Sequence, residues 1–253
     1  MRIEPPPSDA EASGTIPAAT AAALPPLEPP GERSGFQGLR VMPQVSDSVK
    51  PPRAALPPTI DDVAIGAVEE TAALLVSLGH EVIQQDPDWG AIGNHMTPRY
   101  LRGISDDVDN VPLPERLEKR TRGFGRLGHL IPERQARKAQ QAEKADWERI
   151  GKLFERFDVL MTPVMGGTAI PVRRWEGQGA LRTVLGMSRF YPFCIPWNHM
   201  GNPAASVPAG FAKDGMPTAV QIIGRPGDEA TLLSVAGQLE AERPWADRHP
   251  TIS

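Results

Sequence analysis

Between Phe193 and Glu229 the chain reads FCIPWNHMGNPAASVPAGFAKDGMPTAVQIIGRPGDE, a run of short rigid pieces set between apolar runs. Pro196, Pro203, Pro208 and Pro217 each fix φ and remove a backbone donor. Glycines interrupt the same stretch where the chain must turn or approach other backbone. Between these stops lie two apolar runs, 204–211 and 218–223, with the length and bounding residues of strands. Asp214-Gly215 between them is a strong turn signal, although the connection is too long for a two-residue hairpin. The stretch therefore predicts two buried strands joined by a loop, followed by a helix opening at Asp228.

The rest of the chain supplies what such strands need to pack against. Thr59-Ile60-Asp61-Asp62 is a capping-box-like start, with two aspartates placed at the positive end of a helix dipole. Val68, Ala72, Leu75 and Leu78 then step by four, three and three, the stripe of an amphipathic helix over about 60–78. Gly79 is the expected stop. Leu39-Arg40-Val41-Met42 before this helix and His80-Glu81-Val82-Ile83 after it read as short strands. Strand, helix, strand argues for an α/β layer with a parallel component, and His80 reads as a turn residue.

A second helix is predicted over 132–157, with Pro132 in its first turn and Trp147, Ile150, Phe154 and Phe157 along one face. It runs into the apolar strand 158–162, stopped by Pro163; α/β proteins place their sites at such strand ends. Residues 181–191 read as helical, and the last helix, 228–241, buries Leu232, Val235 or Ala236, and Leu239. Residues 86–131 carry weaker signals, with a loop at Asp86–Gly90. A basic helical stretch around 114–126 holds Arg116, Lys119, Arg120, Arg122 and Arg126, which we read as a solvated face. No element is predicted over 168–179.

Composition excludes several functional classes. A net charge of −4 gives no basic balance for nucleic acid. Cys194 is the single cysteine, so no intramolecular disulfide can form. No apolar run approaches the roughly 20 residues that span a bilayer, and no secretory signal pattern follows Arg2. A cytoplasmic protein is the expectation. Residues 1–35, rich in Pro and Ala, are expected to be a disordered leader, and the Pro-broken chain to residue 58 a linker. A Pro-rich ligand for an aromatic groove is the other reading of that segment.

The usual catalytic constellations are missing. No Gly-x-Ser-x-Gly elbow occurs; Ser188 sits in GMSRF, and Ser206 lies inside a predicted strand. Cys194 and His199 stand five apart, the spacing of a thiol–imidazole pair or of a small core residue beside an unrelated histidine. The five histidines show no zinc- or iron-site spacing, and Gly166-Gly167 lacks the lysine and serine of a phosphate-cradling loop.

GNPAASVPAG, DGMPTAVQIIGRPGDE and the Leu-rich helix after them closely resemble the C-terminal part of amidase signature enzymes. FDVLMTPVMGGTAIP is similar to the family's strand-and-loop motif at the substrate pocket, and LRV with VEETAALLVSLGHEV to the segment after its catalytic region. The resemblance covers about residues 38–248, and 36–253 would be the C-terminal portion of one amidase domain. It implies part of an α/β/α sandwich around a mixed β-sheet and hydrolysis of carboxylic amides on a small-molecule substrate. It implies no metal or organic cofactor, nucleic acid or membrane partner. Pro163, Val164, Met165, Trp197, Asn198, Met200 and Asn202 correspond to the pocket wall. The family's Ser–cis-Ser–Lys triad belongs to its N-terminal half, the serines within a Gly/Ser-rich stretch with no counterpart here, so no catalytic residue is assigned. The resemblance leaves three readings: a portion of an amidase, a partner chain completing a split amidase or a homo-oligomer, and an inactive remnant.

Overall fold

The structure, a computed structural model, describes residues 39–43 and 60–248. The leader expected over 1–35 and nearly all of the linker lie outside the described residues. Five strands form one sheet in the order β2-β1-β3-β5-β4. These are β1 (Arg40–Pro43), β2 (Glu81–Val82), β3 (Val159–Pro163), β4 (Ala204–Phe211) and β5 (Pro217–Ile223). β1 lies between β2 and β3, parallel to both, while β5 runs antiparallel to β3 and to β4. The sheet is therefore mixed, and the α/β expectation is borne out.

Among the described residues seven helices cover it: α1 (Asp62–Ser77), α2 (Ile92–Asp109), α3 (Lys119–His129), α4 (Glu133–Ile150), α5 (Ala180–Phe190), α6 (Ile195–Met200) and α7 (Glu229–Glu242). Strand alternation divides the core between the two faces of the sheet. Val41, Val159, Met161, Val220 and Ile222 point to one face, under Val68 and Leu75 of α1 and Leu232, Val235 and Leu239 of α7. Met42, Leu160 and Ile223 point to the other. There they meet Trp89, Ile92, Ile150, Phe154, Trp197 and Met200.

The caps act where the sequence places them. Asp61 accepts the Ala64 amide at 2.9 Å at the start of α1, and Gly79 takes φ 89° just after its end. Asp228 stands at the N-cap position of α7, where its carboxylate accepts the Thr231 hydroxyl at 2.7 Å rather than a backbone amide. His80 is a buried turn residue whose Nε2 meets Gln238 Oε1 at 2.9 Å.

The structure corrects the sequence-based expectations at several elements. α2 follows the loop at 86–90 in a stretch whose sequence signal is weak, because Asn94, His95, Arg99 and Arg102 break its apolar face; His95 and Arg99 have partners inside the fold. The helix predicted to 157 ends at Ile150 and continues as a 3₁₀ turn, Gly151–Glu155. β4, expected to be buried, is an edge strand that buries only Val207 and Ala209 of its eight residues. α6 forms where no helix is predicted: Pro196 stands in its first turn, where a missing donor is tolerated, and Gly201 closes it with φ 71°.

Candidate functional site

β3 ends at Pro163, and the chain there passes beside the first turn of α1. The Asp61 amide donates to Gly166 O at 2.8 Å, which ties the loop after β3 to the helix start. Gly167 lies against the Asp61 carboxylate so closely that a Cβ would collide with it. This latch shapes a groove of about 270 Å³. Val63, Ala64 and Ala67 of α1 form one side, and Val164, Met165 and Gly167 the loop side. Ser206, Pro208 and the start of β5 (Pro217, Thr218, Ala219) complete it. The lining is mostly apolar with two hydroxyls, the chemistry of a small-molecule site. A broader depression of about 440 Å³ over α4 is lined by Gln140, Gln141, Glu143, Lys144, Trp147, Met200 and Pro226. It is wide and open over the charged face of α4, whereas the groove adjoins the end of β3 and is mostly apolar, so the groove is the stronger candidate.

The residues implied by resemblance go to different places. Pro163 is buried and registers with Val220. Val164 and Met165 line the groove. Trp197 is buried in the opposite core, edge-on to Trp89 at 5.4 Å between ring centroids, and Met200 is buried in the same core. Asn198 is exposed. Asn202 Nδ2 donates to Gly224 O at 2.8 Å. The α1 and β4 contributions to the groove carry no sequence signal beyond that of an ordinary helix start and strand.

Among the described residues no nucleophile is held in an activating arrangement. Ser188 and Ser105 donate to the carbonyls of Leu185 and Arg102. Cys194 Sγ donates to Val164 O at 3.5 Å, and burial pushes its thiol pKa up, the reverse of activation. His199, five residues on, faces Asp146 rather than Cys194. Among the described residues no serine or cysteine side chain hydrogen-bonds to a lysine or histidine side chain.

Away from the groove, a second constellation joins α2, α4 and α6. Asp146 is fully buried, and its Oδ2 lies 2.6 Å from His95 Nδ1 and 3.1 Å from His199 Nε2. Its Oδ1 accepts Arg149 Nη2 at 2.6 Å. Burial pushes the Asp146 carboxyl up, but hydrogen bonds from His95 and Arg149 outweigh it and the net shift is downward. Burial pushes the His199 imidazole down, ahead of the opposing pull of Asp146. The sequence could not show this cluster, because its members are brought together only by helix packing.

Residues 51–233 match the family described as Amidase. A Mycobacterium tuberculosis protein named "Putative amidase AmiB2" is 42% identical over 191 residues, covering 75% of this chain and 41% of that protein. The chain thus spans about two fifths of the length of the curated relatives it matches. Among solved structures, 6-aminohexanoate cyclic dimer hydrolase superposes with a TM-score of 0.63 at 24% identity, over 85% of this chain and 47% of that one. A bacterial aryl acylamidase of the amidase signature enzymes gives 0.60 at 18%, over 83% and 45%. These two likenesses concern the fold. Among the described residues no helix is long and apolar enough to cross a membrane.

Proposed function

We propose, from the premise that this chain belongs to the amidase family, that it forms the substrate-facing wall of an amidase-type hydrolase. The enzyme would cleave the C–N bond of carboxylic amides, with the nucleophile supplied from outside the described residues. The groove between the first turn of α1 and the loop after β3 carries this reading. It stands at a strand end, it is apolar enough for the flank of an amide substrate, and Ser206 and Thr218 offer hydroxyls at its β4–β5 side. In this reading Val164 and Met165 touch substrate. Trp197, Met200 and Asn202 hold the strands and helices behind the pocket, with Pro163 ending the strand that delivers the loop and Asn198 facing outward.

Amide hydrolysis needs an acyl-accepting nucleophile and donors for the developing oxyanion, each contributing several kcal/mol to barrier lowering. The described residues offer neither as an organised set, and the family resemblance puts both in a Gly/Ser-rich region with a Ser–cis-Ser–Lys triad. In this reading a region of that kind, joined to this portion or paired with it, completes the enzyme. The test is to co-express the chain with such a half and assay aliphatic and aryl amides. Turnover is expected from the combination alone, with Met165→Ala changing the ranking of substrates. Hydrolysis by the isolated chain, abolished by Ser206→Ala or Cys194→Ala, would overturn the reading.

A further inference from the structure

We propose that His95, Asp146 and His199 form a binding site for one divalent first-row transition ion, with zinc the ion whose ligand preferences they best meet. The proposal is independent of the amide-hydrolysis reading and of the groove. Its basis is convergence. Three side chains from three helices place one ligand atom each within 4.8 Å of the others, and both imidazole nitrogens face the same carboxylate oxygen, Asp146 Oδ2. Two imidazoles and a carboxylate are a familiar three-ligand zinc set, leaving a fourth position for solvent.

The surroundings prepare these groups to ligate. A metal needs an ionised carboxylate and neutral imidazoles. Arg149 occupies Oδ1, which keeps the carboxylate ionised and fixes its orientation while leaving Oδ2 to the histidines. Arg149 is itself anchored on the carbonyls of Asp88 and Trp89, so it acts as the supporting group that metal ligands commonly have. Arg99 holds the backbone of α6 by donating to His199 O at 3.0 Å and is paired with Glu143. The two guanidinium charges near the site are therefore each met by a carboxylate. Access comes from one side: the His95 side chain is 29% exposed while those of Asp146 and His199 are 0%.

Binding exchanges two N–H···O contacts for metal bonds. The ion takes the Nδ1 lone pair of His95 and the Nε2 lone pair of His199, and each ring carries its proton on the other nitrogen. For His95 that nitrogen is on the partly exposed ring. For His199 it is Nδ1, which is buried with no partner among the described residues, and this limits affinity. Tetrahedral metal–ligand bonds of about 2.0–2.2 Å place their donors about 3.3–3.6 Å apart. His199 and Asp146 stand at 3.1 Å and need only a small opening, whereas His95 must recede by about 0.7–1 Å from its present 2.6 Å.

The experiment uses tag-free full chain, cleared of metal by a chelator and shown to be folded by far-UV circular dichroism. After Zn²⁺ addition and gel filtration, elemental analysis is expected to find one equivalent, and the thermal midpoint to rise. Co²⁺ is expected to give a ligand-field spectrum and paramagnetically shifted ring N–H signals from two histidines. His95→Gln keeps a donor for Asp146 but loses the imidazole, and is expected to weaken Zn²⁺ binding by about 10-fold or more. His129→Gln on α3 is expected to change nothing. Less than about a tenth of an equivalent bound with no thermal shift would overturn the proposal and leave a hydrogen-bonded clamp. Stoichiometric binding unaffected by His95→Gln, or Co²⁺ shifts absent from histidines, would overturn it as well.

Discussion

Asn202 Nδ2 donates to Gly224 O at 2.8 Å, joining the turn before β4 to the end of β5. The Gly224 amide returns a bond to Pro203 O at 3.1 Å, so the two ends of the hairpin are fastened to each other twice. Asn202→Ala removes the side-chain half of this fastening and leaves the groove untouched. The expected cost is about 1–2 kcal/mol of stability, read as a lower urea midpoint with an unchanged slope. An unchanged midpoint would show that the contact is replaceable by water.

Asp146 is the buried acceptor for three donors on α2, α4 and α6. Asp146→Asn removes the charge that His95 and Arg149 complement, and leaves Arg149, partly exposed, without its short partner. In chelator-containing buffer the variant is expected to lose about 2–3 kcal/mol, more than Asn202→Ala. Thermal unfolding followed by near-ultraviolet circular dichroism checks this through the environment of Trp89 and Trp197.

Gly167 touches the carboxylate that caps α1, and the loop carrying it forms one side of the groove. Gly167→Ala is expected to push that loop off Asp61 and to cost about 1 kcal/mol, the size of a lost N-cap. Asp61→Ala should cost a similar amount. The double variant should lose less than the sum, because both disturb one contact; strict additivity in urea unfolding would separate the loop from the cap.

Burial raises the Cys194 thiol pKa above the ordinary cysteine value, so at any given pH the folded chain holds less thiolate than an exposed cysteine does. Alkylation is therefore expected to be slow through about pH 8 and to accelerate only above the ordinary thiol range, while the urea-unfolded chain reacts at the rate of a free thiol. Fast native labelling at neutral pH would place Cys194 at a functional surface instead.

β4 is an eight-residue edge strand with one flank unpaired in this sheet. Such edges recruit further strands, and we expect the chain expressed alone to self-associate, as seen by light scattering. Ala204→Lys puts a charge on that exposed edge away from the groove lining and is expected to shift the population toward monomer. A wild-type monomer that unfolds cooperatively would show that the edge is protected.

Much of the fold was legible because it rests on local rules. Asp61 and Gly79 bound α1 by capping and by positive φ, and the proline and glycine spacing over 203–217 marks the two strands and the turn between them, although α6 just before them was not marked. The apolar run ending at Pro163 reads directly as a sheet strand. α2 was illegible for the opposite reason: His95 and Arg99 look like solvent-facing residues until Asp146, Glu143 and the His199 carbonyl are packed against them. The groove was half legible. Val164 and Met165 were implied by the resemblance of the strand-and-loop motif, whereas the α1 wall and Ser206 depend on which elements lie beside that loop. The His95–Asp146–His199 cluster was beyond the sequence altogether, since spacing rules read neighbours along the chain and these residues become neighbours only when three helices pack on one face of the sheet. Periodicity and punctuation settled what each segment becomes; long-range packing decided which polar groups meet, and with them where chemistry can occur.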